Sequence, residues 1–376
     1  MYINRENRVE LLGKLDTSEA TCIDMRERYL IDGISKYDRQ TYTIIECLLP
    51  SGSEAVFPNY TYFLDDYRNP VDKITLNIFQ NIKFTGDFKM NNLEVVNDND
   101  FYESRFEGRF EGIKIKTVGK YAFYYSNFSG ELNLPVCEYV GDNAFRSSQF
   151  NGVFNCPNLQ AVGYQAFYYS QFTGTFNCPN LQTVGDYAFL NSVFNGAFEC
   201  PNLQTVGFYA FYNSKFTGEL DLKNCKIIEN RALRYSTFSG LLDLPKCIYI
   251  GEYALQYSNF SGVVSLPICN QIGSYAFGTS NFNGSLNLPV CTQIGINAFR
   301  FSKFSGSLNL PVCIQIGDYA FYYSNFDTIT IGANATLGTN CIGAHSAEFI
   351  NDYAANNKKA GTYVWDSVTG HWIYQN

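Results

Sequence analysis

The sequence predicts a mainly β fold, a parallel β-solenoid of 22-residue repeats with a small β-rich N-terminal domain and a C-terminal helix-plus-hairpin cap. Three observations carry this. Phe84, Phe106, Phe128, Phe150, Phe172, Phe194, Phe216, Phe238, Phe260, Phe282, Phe304 and Phe326 follow one another at a constant spacing of 22 residues with no insertion, and self-similarity at such a period marks a solenoid. A glycine stands two positions after each of the first eleven, so the chain makes one backbone move once per turn. Counted from the repeat Phe, apolar residues recur at offsets four, six, nine, twelve and seventeen, as in Leu286, Leu288, Cys291, Ile294 and Phe299.

Taken in order, residues 1–82 lack the repeat but hold strand-like runs, YTIIECLL from Tyr42 and YTYFLDDY from Tyr60, and read as a small β-rich domain or cap. Residues 83–335 form the solenoid. In one turn, Gly284 opens the entry turn, Ser285 to Leu288 alternate as a short strand, and Pro289 ends it because proline supplies no ladder donor. Thr292 to Ile294 form a second extended piece. Gly295 permits a sharp bend, and Ala298-Phe299 fall in one turn of tight helix. In residues 336–376, AEFINDYAANNKKAG from Ala347 reads as a short amphipathic helix and TYVWDSVTGHWIYQ from Thr362 as a hairpin around Thr369-Gly370. Its tryptophans, Trp365 and Trp372, either pack within this cap or form an aromatic platform for a sugar or partner.

A formal net charge of -8 with scattered Lys and Arg argues against a nucleic-acid partner, which needs a concentrated basic face. No stretch has the apolar length of a secretion signal or membrane span. The expectation is a chain without membrane insertion, cytoplasmic on sequence alone, with display at a cell surface or on a virion open to it by another route.

Cys137, Cys225, Cys247, Cys269, Cys291 and Cys313 stand at offset nine, where three other turns carry Leu159, Leu181 and Leu203. Those three turns place Cys156, Cys178 and Cys200 at offset six, which is leucine in the six others. Such an exchange is what a close-packed interior tolerates, with cysteine acting as a small hydrophobe. A disulfide ladder conflicts with the strand spacing of about 4.8 Å, wider than the Cβ separation of a bridge. No turn offers a close Cys pair with His, and the histidines are His345 and His371 alone, so no metal and no cofactor is expected. Free thiols suit a reducing compartment during synthesis.

Taken together, LNLPVCTQIGINAF, LPVCIQIGDYAF and LPVCEYVGDNAF resemble the BspA-like, Treponema pallidum-type leucine-rich repeat, with its L-x-L-P, I-G and A-F segments, over roughly residues 84 to 335. The resemblance implies a curved parallel β-solenoid for adhesion or protein recognition, without intrinsic catalysis. This chain departs from the family in carrying serine shortly after A-F, as at Ser126, Ser148, Ser170, Ser258, Ser280, Ser302 and Ser324, where cysteine is frequent. These serines are expected to hydrogen-bond neighbouring turns.

Two surfaces follow. Tyrosines crowd the A-F segment, among them Tyr124, Tyr125, Tyr168, Tyr169, Tyr212, Tyr257, Tyr322 and Tyr323, and serve either as a recognition surface or as rings that tile the solenoid edge. On the strand, the outward offset five is polar in nine consecutive turns, and Glu199, Asp221 and Asp243 fall on adjacent ones. Carboxylates about 5 Å apart would match a retaining glycosidase pair, but a continuous strand face supplies no walls for that chemistry, and cation binding or plain solvation competes with it. The turn FTGELDLKNCKIIENRALRYS breaks the pattern with Lys223 for proline and Glu229 for glycine, and sets Arg231 and Arg234 around Ala232-Leu233, as drift or as a charged contact site. The expected function is non-catalytic recognition or adhesion toward a protein or glycan. The alternatives are an intracellular interaction scaffold and, third, a carbohydrate-active enzyme.

Overall fold

The computed structural model describes residues 94–104 and 108–375, together with the backbone of short strands before them. Within the two N-terminal runs the backbone is extended over Thr43–Cys47, paired antiparallel with Ser35–Asp38, and over Phe63–Leu64. Tyr2–Ile3 pairs parallel with Cys22–Asp24, and Glu54–Val56 is also extended; the remainder of the expected N-terminal domain lies outside the described residues. The chain forms two compact units, one of residues Met1–Leu181 with Asn191–Gly196, the other of Gln182–Leu190 with Ala197–Asn376.

In both units each turn of the solenoid contributes to two parallel ladders. The narrower one uses offsets eleven and twelve. Thr117–Val118, Tyr139–Val140 and Ala161–Val162 pair in register in the first unit, and Thr205–Val206 to Thr336–Leu337 continue the pattern in the second. A glycine follows at offset thirteen in most turns, where the chain closes on the turn before; Asn97 and Glu229 stand there after Val95–Val96 and Ile227–Ile228. A Cβ on Gly295 would lie 2.4 Å from the Ser274 nitrogen, and one on Gly163 2.7 Å from the Gly141 carbonyl carbon, so no larger side chain fits.

The second ladder differs between the units. In the first it is short, with Leu132–Asn133, Phe154–Asn155 and Phe176–Asn177 in register. In the second it lengthens to Asn259–Ser265, Asn281–Asn287 and Lys303–Leu310. Here the strand begins before Gly284 rather than after it. The pairing slips at the glycine: Gly284 faces Phe304, whereas Leu286 faces Leu308. A β-bulge at a left-handed glycine, φ +75° at Gly284, absorbs the difference.

The A-F segment is not the turn of helix that the sequence suggests. Offsets fifteen and nineteen take φ near +55°, for example Asn143 and Ser147, and Tyr253 and Tyr257, which no right-handed helix allows. Backbone donors alternate instead. Asn143, Phe145 and Ser147 donate to the carbonyls of Tyr164, Ala166 and Tyr168 in the next turn, while Ala144, Arg146 and Ser148 close local bonds to Gly141, Asn143 and Phe145. This arc therefore joins turn to turn as a strand would, and every one of these donors is accounted for.

Inside, the repeat Phe and the A-F Phe stack in columns. Phe145 lies 5.2 Å from Phe123 and 5.3 Å from Phe167, and Phe299 lies 4.8 Å from Phe277 and 5.0 Å from Phe321, all near parallel. At the C-terminal end, Asn325–Ile331 meets Gly361–Asp366 antiparallel, and His371–Gln375 completes the hairpin. The helix Ser346–Ala355 covers that last strand, with Asp352 accepting from the Trp372 backbone N–H at 2.7 Å. An open strand edge is thus partly closed.

Candidate functional site

The cysteines answer to packing and to one recurrent bond. The sulfurs of Cys137, Cys225, Cys247, Cys269, Cys291 and Cys313 are buried, and each donates to the carbonyl two residues on, at 3.3 to 3.5 Å. Burial pushes the thiols of Cys225 and Cys291 up to about 12, which keeps them protonated as that bond requires. The exchange with leucine reaches a third site that the sequence reading missed. Phe154, Phe176 and Phe198 stand at offset four in the three turns with Cys at offset six, where the six turns with Cys at offset nine carry Leu or Val.

The serine column corrects an expectation. Ser280 Oγ donates to Leu255 O at 3.2 Å and Ser324 Oγ to Ser302 O at 3.4 Å, but the hydroxyls of Ser126, Ser148, Ser170, Ser258 and Ser302 are buried with no hydrogen-bond partner. The main chain around each is already spent: Ser148 N–H bonds Phe145 O, and Ser148 O accepts from Gln171. Little is left for a hydroxyl to reach.

Glu199, Asp221 and Asp243 do come to one place, and its shape corrects the picture of a continuous strand face. Glu199 ends Phe198–Glu199 and Asp243 ends Ser239–Asp243, while Asp221 between them belongs to no strand. Their neighbours pair Leu242 with Val264 and Asp243 with Ser265, but this turn has only isolated bridges, Phe198 to Leu220 and Glu219 to Ser239. The interruption leaves a concavity of about 500 Å³ lined by the three acids with Glu219, Lys223 and the exposed Leu241. Asp221 Oδ1 accepts from the Lys223 N–H at 3.0 Å, so part of that carboxylate serves its own backbone.

The tyrosines all lie on the arc, at offsets eighteen and nineteen. Tyr124, Tyr168, Tyr212 and Tyr322 are half-buried, whereas Tyr125, Tyr169, Tyr257 and Tyr323 are 43 to 66% exposed. The rings pack on one another and still face solvent. Neighbouring pairs meet edge to face, with Tyr124 4.6 Å from Tyr125, Tyr168 4.6 Å from Tyr169 and Tyr322 4.8 Å from Tyr323. Along the column Tyr235 stacks on Tyr257 at 4.9 Å. Arg146 lies over Tyr124 and Tyr168, and Arg231 over Tyr209 and Tyr253. Sequence reasoning found the tyrosines but not this interleaving, although the arginines share their offsets.

The two tryptophans are not a free platform. Trp372 is buried against Phe349, and Trp365 is stacked on His345 at 3.7 Å. Among the described residues no group of His, Cys, Asp and Glu could hold a metal ion, and no helix is long and apolar enough to cross a membrane.

The model of the BspA type leucine rich repeat region matches six copies, over residues 66–173, 160–283 and 270–355. No curated protein matches the chain. Among solved structures, a leucine-rich repeat protein from Bacteroides ovatus is similar over 79% of this chain and 73% of its own, with 14% identity and a TM-score of 0.45.

Proposed function

The chain belongs to the BspA-type leucine-rich repeat family, and we propose that it is a non-catalytic recognition protein whose tyrosine-lined arc binds a partner protein. One observation carries this reading: the exposed tyrosines at offset nineteen are held in a left-handed backbone position, φ +51° at Tyr125, +53° at Tyr169 and +58° at Tyr257, with another aromatic ring against each. Rings fixed in this way lose little freedom on binding, and tyrosine offers apolar area with a polar tip. The acid-lined concavity supports catalysis less well, since Asp221, one of its four carboxylates, already serves its own backbone.

The test uses capture of partners from extracts of the source cells, with each unit altered separately. Tyr125→Ser/Tyr169→Ser and Tyr257→Ser/Tyr323→Ser should reduce capture about tenfold in at least one case. Serine is tolerated there, because Ser147 occupies the same offset at φ +54°. Undiminished capture by both variants would overturn the reading. Recovery of the native complex from cytosolic fractions or from intact cell surfaces separates a scaffold from an adhesin.

A further inference from the structure

Resting on that reading, we propose that Arg231 and Arg234, on the irregular turn of the second unit, form a paired arginine site that receives a carboxylate from an acidic segment of the partner protein. The guanidinium of Arg231 lies 5.4 Å from the Tyr209 ring centre and 4.8 Å from that of Tyr253; the guanidinium of Arg234 lies 4.8 Å from Tyr235 and 5.1 Å from the same Tyr253. Aromatic rings cover guanidinium faces and leave the N–H edges for acceptors in the plane.

Those edges lack an acidic partner. Among the described residues neither arginine forms an ion pair, although the chain carries 35 acidic residues against 27 basic ones. Arg234 donates to Tyr235 Oη at a long 3.4 Å, and its Nε is buried with no partner. One turn on, Gln256 is 6% exposed and its Oε1 is likewise buried without one. Glu229, the nearest acid in sequence to Arg231, and Glu252, one turn on, both act electrostatically on the Tyr249 hydroxyl. No acidic residue occupies offsets fifteen, eighteen or nineteen between Tyr209 and Tyr275.

Arg146, on the same kind of arc, shares the buried Nε without a partner but finds side-chain acceptors for its terminal nitrogen. It too lies over two tyrosines, yet its NH1 donates to Gln165 Oε1 at 2.5 Å and Asn143 Oδ1 at 3.3 Å. Neither Arg231 nor Arg234 donates to a side-chain amide in this way. Half-buried positive charge without a counter-ion is costly, and a carboxylate answers it with two parallel charge-assisted bonds. An acidic peptide also brings backbone N–H groups, the donors that Gln256 Oε1 lacks. Arginine and tyrosine together are the residue types that dominate binding energy at protein interfaces.

The test measures fluorescence anisotropy of a labelled oligo-glutamate peptide and its oligo-glutamine counterpart against the full chain. Oligo-glutamate alone should bind, and R231Q and R234Q should each weaken it about tenfold. Glutamine stands at both offsets in other turns, Gln165 at φ +52° and Gln256, so the fold accepts the changes, and thermal melting verifies it. R234K, which keeps the charge and loses the planar fork, should also bind weakly, whereas R146Q should bind as the parent does. Equal binding of both peptides, affinity indifferent to R231Q and R234Q, or displacement by inorganic phosphate as effective as by peptide would overturn the site. If oligo-glutamate fails while capture still depends on Tyr257 and Tyr323, the arginine site falls and the recognition reading stands. Arginine-dependent peptide binding with tyrosine-independent capture gives the reverse.

Discussion

The two units write the same repeat in different backbone conformations. In the second, Gly240, Gly262, Gly284 and Gly306 all take φ between +73° and +94°, so successive turns superpose and the strand runs through the glycine bulge. In the first, Gly130 and Gly174 are left-handed at φ +79° and +78°, but Gly152 and Gly196 between and after them are not. Adjacent turns then differ, and side chains take over the bonds: Asn151 Oδ1 accepts from Gly130 N–H and Asn195 Oδ1 from Gly174 N–H, each at 2.8 Å. A ladder of identical turns needs only main chain, whereas an alternating one needs an amide every second turn. The repeat motif sets the period, but the residue beside the glycine does not by itself set the ladder, since Asn283 precedes left-handed Gly284 as Asn151 precedes Gly152.

The core differs in parallel, and this gives the largest expected effect. Phe154 stacks 5.5 Å from Phe176 and meets Phe167 edge to face at 5.0 Å, a third aromatic column that in the second unit gives way after Phe198 to aliphatic residues such as Val264, Leu286 and Leu308. Phe154→Ala should cost about 3–5 kcal/mol. Val264→Ala, at the equivalent offset, removes less area and should cost about 1.5–3 kcal/mol. Urea midpoints of the two variants measure the gap; equal losses would mean that the aromatic column is no special feature of the first unit.

The glycines separate the units next. A Cβ on Gly152 would sit 2.5 Å from the Glu131 nitrogen and 2.6 Å from the Gly130 carbonyl carbon, all main chain. Gly284 has only Val263 Cγ2 at 3.4 Å, and its demand is conformational. Gly152→Ala should therefore destabilise by about 2–3 kcal/mol through overpacking, and Gly284→Ala by about 1–2 kcal/mol through the left-handed backbone. A D-alanine introduced by chemical ligation should rescue position 284 and not position 152, which separates steric contact from dihedral strain in melting experiments.

The period, both ladders, the C-terminal helix and the hairpin were legible because each is written in apolar spacing or in turn residues. The arc was not, since A-F with its flanking tyrosines has helix-compatible composition, and left-handed Tyr253 and Tyr257 follow no residue preference. Nor was the two-turn rhythm. Asp142 Oδ1 accepts from Tyr164 N–H and Asp186 Oδ1 from Phe208 N–H, each capping the turn that follows, and these acids recur every second turn beneath the stronger single-turn signal. The candidate tyrosines and acids were readable as columns. Their local geometry depended on a break in pairing at Leu220 and on arginines whose partners are distant in sequence.

The smallest expected effect concerns the buried serines. Ser280 Oγ holds a carbonyl at 3.2 Å, so Ser280→Ala should lose a hydrogen bond and leave its acceptor less satisfied, at about 1 kcal/mol. Ser170 Oγ is enclosed without a partner, and a hydroxyl in that condition has lost its water without compensation. Ser170→Ala removes the unpaired group with little change in volume and should leave stability unchanged or raise it by about 1 kcal/mol. Opposite signs in thermal melting would establish that one recurring column of side chains holds two energetic classes. A matching loss at both sites would require an acceptor for Ser170, and the nearest candidates are the turn carbonyls already occupied by Ser148 N–H and its equivalents.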